Sequence, residues 1–240
     1  MRRAGLLATY LVVLLALDHF ADYPEQLALG AATWALLIAL AWRLPPFQRW
    51  MVLGVVCFAT IGEVTGSLIW GVYRYRLHNL PLFIPPAHGL VYLTAIAIAV
   101  SLERHARPLV VTAAVAAASW GILGLFVLPR RDVAGAIGVP LLLLFLWRSQ
   151  NRAIYASVFL VVAALELYGT AIGTWRWAPK LPALGIPDGN PPSGVAAGYV
   201  WFDVMAMLAA PYVVWAVSDA RRRLAGAPTE SPTAAATIAR

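Results

Sequence analysis

Charge is scarce in this chain: 12% of its 240 residues are charged, 61% are hydrophobic, and the mean hydropathy is +0.75. A soluble domain carries roughly 25% charge, so the composition excludes a soluble globular fold and puts nearly every residue in or beside a lipid-embedded span. Cysteine is reduced to Cys57, which rules out an intramolecular disulfide and any cysteine-based zinc or iron–sulfur site. Within its apolar run Cys57 reads as an inert small hydrophobe. Walker, Rossmann, His-Glu-x-x-His and Gly-x-Ser-x-Gly patterns are missing, and nothing in the sequence requires a cofactor. The net charge of +7 does not mark a nucleic-acid binder, because the basic residues are scattered in ones and twos over the loops, as membrane topology requires.

Long apolar runs are what the chain has in abundance. A helix needs about 20 such residues to cross the hydrocarbon layer. That ruler predicts spans at 5–21, 26–43, 50–72, 86–102, 108–128, 133–149, 153–173 and 192–217. The run at 133–149 is short and contains Pro140, so seven spans are the alternative to eight. The expected fold is an all-α, polytopic membrane bundle. Met1-Arg2-Arg3 leads into an apolar run with no small-residue cleavage site before Asp18-His19-Phe20-Ala21-Asp22, which reads as a retained first helix. With the N-terminus inside, the cytoplasmic side carries eleven basic residues (Arg2, Arg3, Arg43, Arg49, Arg104, Arg107, Arg148, Arg152 and Arg221 to Arg223). Six face outward: Arg74, Arg76, Arg130, Arg131, Arg176 and Lys180. This bias predicts a multi-pass protein of the cell membrane with both termini cytoplasmic. The small, polar tail at 219–240 is expected to be disordered.

Against this background three acids stand out: Glu63, Glu166 and Asp203 each lie inside an apolar span. A charge at mid-bilayer costs several kcal/mol, so an intramembrane acid is by default a candidate functional residue. Two of them open copies of one pattern. Glu63-Val-Thr-Gly66-Ser67, then Gly71-Val-Tyr73-Arg74-Tyr75, matches Glu166-Leu-Tyr-Gly169-Thr170, then Gly173-Thr-Trp175-Arg176-Trp177. Ile84-Pro85 and Ile186-Pro187 extend the match. Four spans separate the copies, so they share an orientation and form parallel repeats, 1–104 and 105–218. Gly66 and Gly169, three residues beyond each acid, are expected to let a neighbouring helix approach closely. Alternation along Tyr73-Arg74-Tyr75 and Trp175-Arg176-Trp177 puts aromatics on one side and a cation on the other. The Pro- and Gly-rich loops that follow, 74–85 and 174–191, cannot face lipid with unpaired amides and must cap a cavity.

Blander readings apply to each feature. The aromatics suit an interfacial belt, and the two glutamates suit a buried polar pair holding the halves together. His88, after a double proline, is a proton carrier or an interfacial cap. Asp18, His19 and Asp22 suit a solvated helix end, with a metal site as the alternative.

The string Glu-x-x-Gly-Ser/Thr, then Gly-x-Tyr-x-Tyr, then a Pro-rich loop with Ile-Pro, resembles the membrane carotenoid hydratases of the carotenoid 1,2-hydratase and bisanhydrobacterioruberin hydratase type. Gly173-Thr-Trp175-Arg176-Trp177, Ile186-Pro187 and Gly198-Tyr199-Val200-Trp201 are similar to the family's Gly-x-Trp-x-Trp, Val-Pro and Asn-Phe-x-Gly-Trp segments. His88-Gly89 stands where the family has an apolar, Trp-containing segment. The resemblance covers about a third of the chain. It implies a bundle of seven or eight helices and a lyase-type reaction of carotenoid biosynthesis, the addition of water to a terminal isoprenoid double bond.

Such chemistry needs an acid to protonate the alkene, aromatic faces to stabilise the carbocation, and a base to orient water. Glu63, Glu166, Asp203 and His88 are the candidate acid and base groups; Tyr73, Tyr75, Trp175 and Trp177 the candidate faces; Arg74 and Arg176 further substrate contacts. The same parts serve cyclisation or double-bond isomerisation. A proton-coupled carrier or lipid-binding protein is the main rival, since parallel repeats and mid-membrane acids describe carriers too. A purely structural membrane subunit is the third reading. The expected partners are the bilayer and an isoprenoid lipid; oligomeric state is not legible.

Overall fold

The computed structural model describes residues 1–224. They form eight α-helices: α1 (Arg2–Phe20), α2 (Tyr23–Trp42), α3 (Pro46–Glu63), α4 (Ile84–Ser101), α5 (Ala106–Phe126), α6 (Val133–Arg148), α7 (Arg152–Ile172) and α8 (Val195–Leu224). Seven are long and apolar enough to cross a membrane. The shorter α6 contains Pro140, which interrupts the backbone ladder of an already brief span. Ile69, Phe126, Trp42 and Trp147 stay exposed; in a membrane bundle such side chains face lipid. α8 runs on to Leu224, past residue 218, with Arg223 paired to Asp219 one turn back. The remainder of the expected tail, 225–240, lies outside the described residues.

Local chemistry sets the helix ends. Asp22 and Glu25 make a reciprocal capping box at the start of α2, with Pro24 in its first turn. Asp132 caps α6 by accepting from Gly135 N. α4 occupies the centre, packed against α1, α2, α3 and α7, and so buries residues on every side, from Ile84 to Ala99.

Related neighbours recur across the two halves. α3 packs on α8 and α4 on α7; α3 also meets α4 as α7 meets α8, and α2 meets α4 as α6 meets α8. The correspondence stops at the first helix of each half. α1 packs on α4 and α7, whereas α5 packs on α6 and α7.

Two three-residue strands, β1 (Tyr73–Tyr75) and β2 (Trp175–Trp177), pair antiparallel with Tyr73 opposite Trp177, Arg74 opposite Arg176 and Tyr75 opposite Trp175. This is the register a two-fold axis demands, since each residue faces the counterpart of its own mirror position. The flanking bonds obey it as well: Ala178 N donates to Val72 O at 2.8 Å and Arg76 N to Thr174 O at 2.9 Å.

One residue breaks the equivalence. Glu63 and Tyr73 are ten apart, Glu166 and Trp175 nine. The extra residue is absorbed by a π-helical turn, Val64–Trp70, that continues α3. Gly71 N closes on Gly66 O five residues back, while Gly173 N closes on Gly169 O four back. Both glycines are left-handed, with φ of 74° and 79°, where any other residue would be strained.

Candidate functional site

The ribbon of β1 and β2 turns its aromatics toward the helix ends that carry the two glutamates. Glu63 is buried, and three side chains hydrogen-bond to it. Tyr73 and Tyr75 hydroxyls reach Oε2 at 2.5 and 2.6 Å, and His88 Nε2 lies 3.0 Å from Oε1. Burial, reinforced by the negative charge of Glu63, holds both tyrosine hydroxyls protonated far above the ordinary phenol range. They are therefore permanent donors at neutral pH.

Glu166 is equally buried but differently served. Trp175 Nε1 donates to Oε2 at 2.8 Å and Trp177 Nε1 to the same oxygen at 3.3 Å. Among the described residues no group hydrogen-bonds Oε1. The backbone carbonyls of both glutamates accept a hydroxyl one turn on, Ser67 to Glu63 O and Thr170 to Glu166 O, each at 2.7 Å.

Both acids line one chamber of about 250 Å³ under the ribbon, with Gly62, Gly198 and Phe202 forming its wall between α3 and α8. A smaller apolar recess of about 50 Å³ continues from Glu166 and His88 toward Leu11, Leu14 and Leu15 of α1. Trp175, Ile84 and Tyr199 border both. The ring of Tyr73 lies 4.5 Å from that of Trp177, and His88 stacks against Tyr199 at 4.9 Å. The chamber is thus apolar and aromatic, lined by two carboxylates and three phenols, with the His88 imidazole meeting Glu63 from the adjoining recess.

Several expectations change. Gly66 and Gly169 are not helix–helix contacts. A Cβ on Gly66 would sit 3.0 Å from the Tyr73 ring, and one on Gly169 2.2 Å from the Trp175 ring. Each glycine makes room for the first aromatic of its own strand, which then reaches the acid. His88 is not an interfacial cap but a buried partner of Glu63. Asp203 is buried and is not among the residues lining the chamber, and its Oδ2 has no partner among the described residues. Asp18 is not solvated: it is fully buried and accepts from Gln26 at 2.7 Å, while Asp22 serves the α2 cap. No group of three His, Cys, Asp or Glu among the described residues is arranged to hold a metal. Arg74 and Arg176 lie on the opposite, exposed face of the ribbon.

Sequence reasoning passed over the residues that hold the loops. Asp132 accepts from Gly189 N at 3.0 Å and Ser193 N at 2.7 Å as well as capping α6, which knots the second loop to that helix. Arg130 donates to the carbonyls of Asp188, Trp177 and Ala178. Arg76 does the same for Asp18 and Ala21 at the end of α1. An Asp directly before an apolar helix is an N-cap signal that would have found Asp132. Tyr199 stood in the Gly198-Tyr199-Val200-Trp201 stretch of the resemblance without being read as a site residue, and Phe202 carried no signal beyond being aromatic.

No family model, curated protein or solved structure matches the chain. What stands on geometry is a multi-pass helical membrane bundle with a paired-acid chamber under a two-stranded aromatic ribbon.

Proposed function

We propose that the chain is a membrane enzyme that hydrates a double bond of an isoprenoid or carotenoid-like lipid by acid catalysis. The observation that carries this reading is the unequal dressing of the two glutamates. Glu166 keeps Oε1 unengaged at the wall of an apolar, aromatic chamber, with Oε2 fixed by two indoles. Glu63 has both oxygens committed as acceptors, one of them to an imidazole. A donor needs a free oxygen; a base needs somewhere to pass a proton.

In this scheme the proton on Glu166 Oε1 forms a C–H bond with one alkene carbon as the π bond breaks, leaving a tertiary cation on the other. The faces of Trp175, Trp177 and Tyr73 stabilise that charge through their quadrupoles. Water forms the C–O bond, and its surplus proton passes to the Glu63–His88 pair. Return of that proton to Glu166 closes the cycle, with one water consumed per double bond. Loss of a neighbouring proton to the Glu63–His88 pair in place of water capture gives isomerisation. Attack by a second alkene, followed by loss of a proton from the new cation to the same pair, gives cyclisation. The distribution of basic residues supports an outward ribbon and cytoplasmic termini.

Mass spectrometry of lipid extracts from a host lacking the gene, complemented with wild type or Glu166→Gln, tests this. Wild type should convert an isoprenoid to its hydrated form, and Glu166→Gln should cut conversion by about 10²-fold or more while folding normally. Identical lipid profiles with and without the gene would remove the enzyme reading. One observation favours a second reading, a proton-coupled carrier. Asp203 offers another buried acid on α8, apart from the chamber, with an unpartnered oxygen. In proteoliposomes a carrier would acidify the lumen on substrate addition, and Asp203→Asn would abolish that signal.

A further inference from the structure

The ribbon has a second face. Arg74 and Arg176 sit directly opposite each other across the antiparallel pair. Like charges in that position are destabilising, and among the described residues neither arginine makes an ion pair or a side-chain hydrogen bond. Both line a hollow of about 690 Å³ on the ribbon's exposed side, together with Arg76 and His78 and without a carboxylate. Arg76 is engaged with the carbonyls of Asp18 and Ala21, which leaves the guanidinium groups of Arg74 and Arg176 as its uncommitted cations. They are related by the same two-fold that relates the strands, so they approach a central ligand from equivalent sides. Guanidinium groups present planar forks that suit phosphate oxygens.

We infer that this hollow is an anion site for a phosphate or diphosphate group, held by Arg74 and Arg176 as a symmetric pair. The anion supplies the counter-charge that the protein itself withholds. Tyr73, Tyr75 and Trp177 border both the hollow and the acid chamber, so one layer of side chains separates them. In this proposal an amphiphile holds its phosphate on the arginines and threads its chain between these side chains toward Glu166. This narrows the substrate class to phosphorylated isoprenoids. The choice of an isoprenoid chain rests on the chemistry proposed above, whereas the anion site rests on the ribbon alone.

Native mass spectrometry of the protein released from phosphatidylcholine nanodiscs tests the site with two probes. Inorganic pyrophosphate is added in one arm, and phosphatidylglycerol is mixed into the nanodisc in the other. Wild type should bind one anion saturably, and Arg74→Gln and Arg176→Gln should each weaken it roughly tenfold or more, while Arg104→Gln, at the far face, should not. Binding of pyrophosphate identifies a free or substrate phosphate. Binding of phosphatidylglycerol alone identifies a lipid headgroup, which keeps the site but removes the phosphorylated substrate. Each arginine variant should also melt at a higher temperature than wild type in the absence of anion, because the repulsion is relieved. Binding of neither probe, equal binding in the arginine variants, or lower melting in both would overturn the anion site. Glu166→Gln should bind pyrophosphate like wild type, so a failure of the acid chemistry and a failure of this site give different results.

Discussion

Glu63 and Glu166 occupy equivalent places in two copies of one motif, yet their partners belong to different chemical classes. Around Glu63 stand two phenols that stay protonated as hydrogen-bond donors and an imidazole, the one partner that can both give and receive a proton. Around Glu166 stand two indoles, which donate a hydrogen bond and never titrate. The scaffold is shared to the level of strand register and back-bonded hydroxyls, so apart from the one-residue π-helical turn after Glu63 the difference lies in side chains. Two matching cradles thus carry different side chains, phenols and an imidazole around Glu63 and an indole clamp around Glu166. A pair of acids with distinct environments is how one site can hold both a donor and a base.

The comparison breaks most visibly if the acids are neutralised one at a time. Glu166→Gln keeps both indole contacts, since an amide oxygen still accepts, and its loss should appear as about 10²-fold or more in turnover with little change in melting temperature. Glu63→Gln should behave in the opposite sense. An amide accepts only at its oxygen while its NH2 end donates. With the tyrosines on the oxygen, His88 must give up its Nε2 proton and accept instead, and a contact that does not switch is left facing another donor. The expected cost is about 1–3 kcal/mol of stability for the orphaned group, with turnover also reduced. Thermal melting in nanodiscs and lipid mass spectrometry on the same preparations separate the two signatures. Equal loss of turnover at unchanged stability for both variants would mean the acids are interchangeable.

Next in size is the pair of glycines. An alanine at Gly169 places its Cβ 2.2 Å from Trp175, a ring held by its bond to Glu166. Gly169→Ala should destabilise by about 1–3 kcal/mol and uncouple Trp175 from the acid. At Gly66 the gap to Tyr73 is 3.0 Å, and Gly66→Ala should cost roughly 1 kcal/mol or less, partly offset by better helix propensity. Melting temperatures of the two variants test the order, and the reverse ranking would contradict the geometry.

The two capping loops differ as well, because only the second carries an acid. Asp188 is buried beside Asp132, and its pKa is pushed up to about 7, first by burial and then by that neighbour, against the opposing pull of Arg130. Between the unfolded carboxylate value near 4 and this raised value, the folded state holds a proton that the unfolded chain has released, so stability falls as pH rises through that window. Asp188→Asn removes the dependence. It should match wild type at about pH 4 and melt a few degrees higher at about pH 8. A variant that melts lower at both pH values would show that the carboxylate is a needed acceptor.

Much of this was legible in the sequence, and the limits are informative. The length of the apolar runs gave the eight helices within a few residues, once the π-helical turn is counted with α3 and except for the end of α8, which runs on to Leu224. Strict alternation separated the aromatic and arginine faces of each strand. Both follow from backbone geometry that tertiary contacts do not alter. What stayed hidden depends on side chains meeting across the fold. His88 lies twenty-five residues from Glu63 and meets it only because α4 returns alongside α3. Asp203 has the same residue class and hydropathy context as the two glutamates, yet its place on α8 leaves it outside the chamber. The buried Asp18 resembled a solvated helix end because its partner, Gln26, sits on the next helix.

The subtlest asymmetry is the extra residue in the first copy, and deleting it gives the smallest expected effect. Ile69 lies in the π-helical turn and is 75% exposed, so no buried contact is lost with it. Removal shortens the Glu63-to-strand spacing from ten residues to nine, which the second copy already accommodates with an ordinary α-helical end at Gly173. Trp70 stays on the strand side of the deletion and keeps its bond to Pro182 O. The ribbon register is held from outside by the Val72–Ala178 and Thr174–Arg76 bonds, so the turn can tighten without moving the strands. The single-residue deletion should therefore fold, with stability within about 1 kcal/mol of wild type. Turnover is the more telling measurement. π turns concentrate where a helix must re-aim side chains for function, and here the turn separates Glu63 from the tyrosines that address it. A deletion variant that folds normally but loses turnover would tie the asymmetry to the proton-exchanging role of Glu63. One that loses neither would mark the extra residue as a neutral insertion, and one that fails to fold would show that the two copies are not equivalent at this turn.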